Sequence, residues 1–269
     1  MTVPTPLLAA AFALAALPVS AQNAFTIPVT SEVLEGWKLP DGRRVAALRL
    51  TLAPGWKTYW RNPGDAGIPP TFDWSQARNL GDISITWPTP SVFDLNGLRS
   101  IGYSEQLILP LHVTPLRADT PVRLKGTMVL GVCAEICIPH QIDFDTLLDA
   151  PDTVPTPAIK AAMTDVPYSA GKAGVRAATC RLRPTENGMQ IEARVTLPYT
   201  GATEFAVIET GTPELWIGAA RTSRQGDTVT AISDMVHPKG GAFGIDRSDV
   251  RITILGGTYA VDVQGCTAG

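Results

Sequence analysis

The chain has 269 residues, enough for one large domain or two ordinary ones, and its charge is nearly balanced, with 22 Lys and Arg against 25 Asp and Glu. No basic run or aromatic-basic stripe occurs in the sequence, which argues against nucleic acid as a partner. The 24 glycines and 23 prolines are scattered, a distribution typical of many turns between short strands rather than of a disordered tail.

The N-terminus is apolar from Leu7 to Val19, a stretch too short to span a bilayer, and small residues follow at Ser20 and Ala21. This pattern predicts a signal peptide over residues 1–21, and a buried N-terminal helix is the alternative. No later segment is apolar for long enough to cross a membrane. We therefore expect an exported protein without a membrane span, in a compartment that permits disulfides.

Beyond the signal, apolar and polar residues alternate with period two in two sets of segments, which predicts strands. The segments are Arg44–Leu52, Leu107–Val113, Val122–Val132, Met189–Leu197, Phe205–Glu209, Leu215–Ala219, Thr228–Ser233 and two strands within Val250–Val263. A proline-rich stretch between the sets predicts a linker at residues 151–160, with a short helical candidate at Pro157–Thr164. The fold prediction is two all-β, sandwich-sized domains at residues 22–150 and 161–269.

The second domain contains one widely spaced cysteine pair. Cys180 comes just before its first predicted strand, and Cys266 follows its last. A bridge between them would tie both ends of one sandwich together and contribute about 4–5 kcal/mol in the chain-entropy model. We expect a structural disulfide here, because two free thiols are improbable in an oxidising compartment.

The first domain contains a closely spaced pair, Cys133 and Cys137, in the stretch GVCAEICIPH. A bond across four positions would contribute only about 2 kcal/mol to stability, so it is comparatively easy to reduce. Alternation places Cys133 on the polar face of its strand, and a return strand follows Cys137. We therefore expect the pair near solvent at the tip of a hairpin, where a partner thiol could reach it.

Three interpretations of this pair stay open on spacing alone. It could be a redox-active disulfide, or a short disulfide that merely pins the hairpin of a non-catalytic adaptor. It could also bind Cu(I) with His140 as a third soft ligand, although an ordinary surface histidine is the simpler identity for His140. Zinc would usually require a fourth ligand, and no convincing one is nearby in the sequence.

Four blocks of sequence, taken in order, resemble the N-terminal periplasmic domain of the DsbD and ScsB thiol:disulfide interchange proteins, with the closer similarity to the ScsB branch. The blocks are Gly55–Trp74, Thr86–Pro90, Gly97–Val113 and Gly131–His140. The similarity covers roughly Phe25 to Leu148. It implies that the first domain is an immunoglobulin-like sandwich, so the expected fold is all-β with two tandem immunoglobulin-like domains.

The resemblance also implies roles for individual residues. Cys137 would form the mixed disulfide with a partner and Cys133 would resolve it, while Tyr59 would lie beside the pair. Trp56 and Trp60 are expected in the sandwich core. A cap loop would shield the site, and it corresponds to Phe93, Asp94, Leu95, Asn96, Gly97 and Leu98.

The resemblance implies a periplasmic protein-disulfide oxidoreductase that receives electrons from a thioredoxin-like donor and passes them to oxidised periplasmic proteins. The sequence contains neither a transmembrane electron conduit nor a thioredoxin-like CxxC domain, so the donor would be another protein. Exchange of this kind needs no cofactor. No cationic group is evident beside the pair and Glu135 lies within it, so we expect a poor attacking thiol whose disulfide is opened by a more acidic partner, releasing the Cys133 thiolate.

Overall fold

The computed structural model describes residues 28–95, 98–149, 154–212, 214–241 and 243–269. The predicted signal peptide, residues 1–21, lies outside this part of the chain. Across the described residues, no helix combines the length and apolar character that a membrane crossing requires. The architecture is all-β with two tandem immunoglobulin-like sandwiches, which confirms the predicted fold class.

In the described part of the chain, ten strands build the first sandwich. They are β1 (Val29–Lys38), β2 (Arg44–Leu52), β3 (Lys57–Gly64), β4 (Thr71–Asp73), β5 (Leu80–Ile85), β6 (Ser91–Leu95), β7 (Leu98–Ser104), β8 (Gln106–Pro115), β9 (Val122–Cys133) and β10 (Cys137–Leu148). One sheet has the order β1-β2-β8-β5. The other, called the cysteine sheet below, has the order β10-β9-β3-β7-β6, with β4 pairing β9.

The period-two pattern of the sequence explains how these sheets pack. Every second residue of β9 from Val122 to Val132 is buried, while Arg123 and Lys125 between them are exposed. The buried side chains of β9 pack against Leu48 and Leu109 of the other sheet in one core. The cysteine sheet therefore has an inner face, turned to this core, and an outer face that carries the odd-numbered residues of β9.

The second sandwich follows a short helix, and ten strands are seen in its described residues. The elements are α1 (Pro157–Thr164), β11 (Tyr168–Ser169), β12 (Ala177–Thr185), β13 (Gly188–Thr196), β14 (Glu204–Glu209), β15 (Trp216–Ile217), β16 (Arg221–Gln225), β17 (Thr228–Val236), β18 (Arg251–Gly256), β19 (Ala260–Gln264) and β20 (Thr267–Ala268). One sheet has the order β11-β19-β18-β14, and the other β15-β17-β13-β12-β20 with β16 on β17. A separate apolar core lies between them.

Helix α1 has the bounds expected from the sequence, and Pro157 at its start is a residue that favours the first helical turn. Its Ile159 is fully buried against Trp37, Val45 and Ala47 of the first sandwich. The last four residues of the predicted linker thus form the first half of a helix docked on β1 and β2.

The two sandwiches contact each other through the cysteine sheet. Arg61 of β3 donates two hydrogen bonds to the carboxylate of Glu209 in β14, at 3.0 and 2.8 Å. The guanidinium of Arg99 in β7 lies 4.8 Å from the ring centroid of Phe205. The second sandwich therefore packs directly against β3, which pairs with β9, and against β7, the neighbour of β3 on its other side.

Candidate functional site

The close cysteine pair joins the ends of a β-hairpin. Cys133 is the last residue of β9 and Cys137 the first of β10, and the strand register places them directly opposite each other. A disulfide links them. The turn between them is closed by a hydrogen bond of 3.0 Å from the amide of Ala134 to the carbonyl of Ile136. The bond thus crosses the tip of the hairpin, where alternation predicted it.

The two cysteines differ sharply in exposure. Cys133 is 0 % exposed, whereas Cys137 is exposed and the neighbouring Ile136 is 60 % exposed. The sheet order explains the difference, because β9 lies between β10 and β3 while β10 is an edge strand. The expectation that the pair lies near solvent therefore fits Cys137 and was wrong for Cys133. Of the two cysteine residues, Cys137 is the one open to solvent.

Tyr59 lies beside the pair. Its hydroxyl oxygen is 3.3 Å from Cys137 Sγ and 3.3 Å from the carbonyl oxygen of Ala66. Since a disulfide sulfur has no hydrogen, the hydroxyl is the donor to either acceptor. Burial raises the pKa of Tyr59, so the hydroxyl keeps its proton.

Two glycines leave room for the Tyr59 ring. A Cβ at Gly131 would lie 3.1 Å from two ring carbons, and one at Gly67 would lie 2.8 Å from a third. The ring therefore packs between β9 and the segment after β3, and Tyr59 is 2 % exposed. Trp60, the next residue, points to the inner face and is fully buried in the core, while Trp56 packs partly buried against it.

Lys57 also lies at the site, and sequence reasoning missed it. It lies directly opposite Cys133 in the register of β3 and β9. Its ammonium donates a hydrogen bond of 3.1 Å to Ser100 Oγ and lies 5.0 Å from the ring centroid of Phe93. The available signal was alternation, which places Lys57 on the face of Tyr59, but the pairing of β3 with β9 is not visible in the sequence.

The described residues of the segment predicted as a cap loop belong to two paired strands, β6 and β7, which are together called the cap hairpin below. Phe93, Asp94 and Leu95 end β6, and Leu98 begins β7; Asn96 and Gly97 lie outside the described residues. Phe93 pairs with Ser100, so both lie on the outer face with Lys57. Lys57 is thus the link between the cysteine pair and the cap hairpin.

The metal alternative finds no support in this geometry. Cys137 and His140 are three positions apart on a regular strand, so their side chains leave opposite faces of the sheet. In the described part of the chain, no group of three or more His, Cys, Asp or Glu residues is arranged to hold a metal ion.

The second cysteine pair lies in the second sandwich, far from this hairpin in sequence. A disulfide joins Cys180 to Cys266. Cys180 is buried inside β12, rather than before the first strand as the sequence suggested. The bond fixes the C-terminal segment, whose β20 pairs in parallel with β12 through Cys180 and Ala268.

Comparison with known proteins gives one family and one similar fold. The family described as "Thiol:disulfide interchange protein DsbD, N-terminal" matches residues 9–149, just over half of the chain. Among solved structures, the N-terminal periplasmic domain of ScsB from Proteus mirabilis is similar, with a TM-score of 0.68 and 22% sequence identity over 92% of this chain and 97% of that one. At this identity the likeness concerns the fold, which it covers across both sandwiches. No curated protein matches the sequence.

Proposed function

The chain belongs to the family of the N-terminal domain of DsbD thiol:disulfide interchange proteins, and on this basis we propose that it relays electrons from a thioredoxin-like donor to oxidised partner proteins through Cys133 and Cys137. Family membership supports the coarser statement, a role in thiol:disulfide exchange with redox partners. We place the exchange in the periplasm, the compartment of the ScsB domain with the similar fold.

The unequal exposure of the two cysteine residues is the observation that carries the proposal. A donor thiolate can approach Cys137 on the edge strand, whereas Cys133 is enclosed between two strands. Attack on Cys137 Sγ forms a donor–Cys137 disulfide, breaks the Cys133–Cys137 bond and leaves Cys133 as a thiolate. The second thiol of the donor then releases reduced Cys137, so the pair has gained two electrons and binds two protons.

The return step uses the same asymmetry. The Cys137 thiolate attacks the disulfide of an oxidised partner, and Cys133 then attacks Cys137 Sγ, which releases the reduced partner and restores the original bond. Each step replaces one sulfur–sulfur bond with another, and the dithiol form of the pair carries the two electrons, so the proposed steps need no cofactor. Tyr59 supports this chemistry because its protonated hydroxyl can donate to the Cys137 sulfur.

The cap hairpin would control which thiols reach the site. We assign this role to the segment from Phe93 to Leu98, by analogy with the family. The position of Phe93 on the outer face, held by Lys57, supports the assignment. Partners that displace the hairpin would exchange quickly, and small thiols that cannot displace it would exchange slowly.

Trapping of the mixed disulfide tests the proposal. The Cys133→Ala variant, with Cys137 first activated as a mixed disulfide with thionitrobenzoate, should form a disulfide with a thioredoxin-like donor that keeps only its attacking cysteine. The donor thiolate displaces thionitrobenzoate from Cys137, and the product accumulates because neither protein then has a resolving thiol. Non-reducing electrophoresis after alkylation measures it. The Cys137→Ala variant is the matched control and should form far less adduct, because Cys133 is buried. Resistance of the wild-type disulfide to every protein donor would contradict the proposal and favour a non-catalytic adaptor.

A further inference from the structure

The cation opposite Cys133 is not explained by the relay alone. Lys57 is half-buried on the outer face of the cysteine sheet, and its Cα is paired with that of Cys133. Side chains of directly opposed residues have Cβ atoms about 4.5–5.5 Å apart, so a lysine ammonium can reach a sulfur at that position. While the disulfide is intact, the ammonium instead contacts Ser100 Oγ and the ring of Phe93.

The exchange reaction creates a charge next to this lysine. When the disulfide opens, Cys133 leaves as a thiolate at a site that is 0 % exposed. Burial without a partner disfavours the charged form of a thiol, so a cation in reach is needed to stabilise it. Among the described residues, Lys57 is the cation that the strand register places beside Cys133.

We propose that Lys57 receives the negative charge of Cys133 when the disulfide opens, and that in turning to Cys133 it releases Phe93 of the cap hairpin. The proposal rests on the exchange function above and adds a residue to it. The balance is simple: a partner thiolate loses its charge as it bonds to Cys137, the same charge appears on Cys133, and the Lys57 ammonium changes partner without losing its proton.

This arrangement makes the hold on the cap hairpin depend on whether the disulfide is intact or Cys133 is a thiolate. While the disulfide is intact, Lys57 stabilises the cap hairpin through the hydrogen bond to Ser100 and the contact with the Phe93 ring. Once Cys133 is a thiolate, the same ammonium has a charged acceptor, which forms the stronger interaction. The cap hairpin is therefore held less firmly while Cys133 is a thiolate.

Other titratable groups lie on the neighbouring elements. Glu135 is exposed in the hairpin turn, Tyr59 lies two residues after Lys57 on β3, and Asp94 follows Phe93 on β6. None of them is cationic. Variation at Lys57 therefore separates the effect of its charge from theirs, since all three stay in place.

Thiolate titration of single-cysteine variants tests the inference without a protein partner. In Cys137→Ala, Cys133 is the one cysteine outside the Cys180–Cys266 bond, and its ultraviolet absorbance reports the thiolate. Adding Lys57→Gln should raise the pKa of the Cys133 thiol by about one unit, which means about tenfold less thiolate at a given pH below that pKa. Lys57→Arg should restore it.

The variants distinguish charge from structure. Glutamine can still hydrogen-bond to Ser100. If Lys57 acted only through that hydrogen bond, Lys57→Gln would leave the pKa of the Cys133 thiol as unchanged as Lys57→Arg does. Lys125→Met, on the outer face of β9 but far from the cysteines, is the matched control and should leave the titration unchanged. Equal titration curves for Lys57→Gln and Lys125→Met in folded protein would overturn the inference, even if the pair exchanges with a donor.

A rate measurement tests the cap half of the inference. Lys57→Gln has two effects on the rate at which dithiothreitol reduces the oxidised protein. Loss of the charge that stabilises the Cys133 thiolate slows reduction, whereas loss of the contact with Phe93 loosens the cap hairpin and speeds it. In a Phe93→Ala background only the charge effect remains, so Lys57→Gln should slow reduction by about threefold. In the wild-type background the slowing should be smaller or reversed. Identical effects in both backgrounds would exclude the release of Phe93.

Discussion

At the scale of single residues, the site depends on two glycines, whose lack of a side chain leaves space, as much as on the residues with side chains. Gly131 and Gly67 leave room for the Tyr59 ring beside the end of β9, with its hydroxyl 3.3 Å from Cys137 Sγ. The sequence suggests Tyr59 through family resemblance, but it does not show which glycines make room for it. For Gly131 that information lies in a contact with a residue more than seventy positions away, and for Gly67 it lies in the way the chain turns back after β3.

Gly131→Ala is expected to destabilise the protein. Its new Cβ would lie 2.8 Å from Ile68 Cβ and 3.1 Å from the Tyr59 ring, both in packed surroundings. Overpacking of this kind costs about 1–3 kcal/mol of unfolding free energy. Urea unfolding measures it. Gly171→Ala is the control, because nothing lies within 4 Å of a Cβ there. Equal midpoints for the two variants would contradict the proposed packing.

His112 is expected to make stability fall at mildly acidic pH. Burial, and to a lesser extent the charge of Arg43, lowers its pKa below the ordinary 6.5, and its Nε2 lies 2.9 Å from Thr86 Oγ1. The unfolded chain then binds the proton more readily than the folded one. The unfolding free energy contributed by this group therefore falls as pH drops below about 6.5, until the folded pKa is passed.

His112→Gln should remove that part of the pH dependence. Chemical denaturation at several pH values between about 5.5 and 8 measures it, above the range in which carboxylates titrate. The same substitution at His140 is the control and should keep the wild-type slope, since His112 is intact there. If both variants keep the slope, His112 is not its source.

At the scale of elements, local pattern and long-range pairing differ in what they reveal. Alternation predicted β2, β9 and the return strand β10, because one face of each is buried in a core. It could not show that β3 lies on the far side of β9 and encloses Cys133, since that pairing joins residues distant in sequence. The burial of Cys133 and the position of Lys57 both follow from this one pairing.

Helix α1 shows the same limit from another side. Its bounds follow from Pro157 and the short apolar run, but the face on which it docks does not. Ile159→Ala should lower the unfolding free energy by about 2–5 kcal/mol, because Ile159 is fully buried against β1 and β2. Lys160→Ala, one position on and exposed, is the control for helix propensity. A small effect of Ile159→Ala on the thermal midpoint would mean that the helix is not docked.

At the scale of the whole molecule, the second sandwich acts on the strands of the site. Val207, Leu255 and Ala260 of the second sandwich pack with the apolar core of the first, so apolar contacts link the two sandwiches. Arg61 lies two positions after Tyr59 on β3. Arg99 lies on β7, directly after Leu98, the last residue of the cap segment. We expect this contact to fix both strands, and therefore to influence exchange at a distance.

Glu209→Ala tests that expectation. The Arg61 and Glu209 side chains are only 17 % and 22 % exposed, so the substitution leaves a partly buried guanidinium without its carboxylate. We expect a loss of about 2 kcal/mol, most of it at the contact between the sandwiches, so that calorimetry should show a broadened or divided unfolding transition. The exposed pair Arg176–Asp227 is the control, and Asp227→Ala should change stability by less than about 1 kcal/mol.

Because Arg61 and Tyr59 share one strand, Glu209→Ala should also alter the rate at which a donor reduces the Cys133–Cys137 bond, whereas Asp227→Ala should not. A single sharp transition and an unchanged rate in Glu209→Ala would show that the first sandwich holds its site without help from the second.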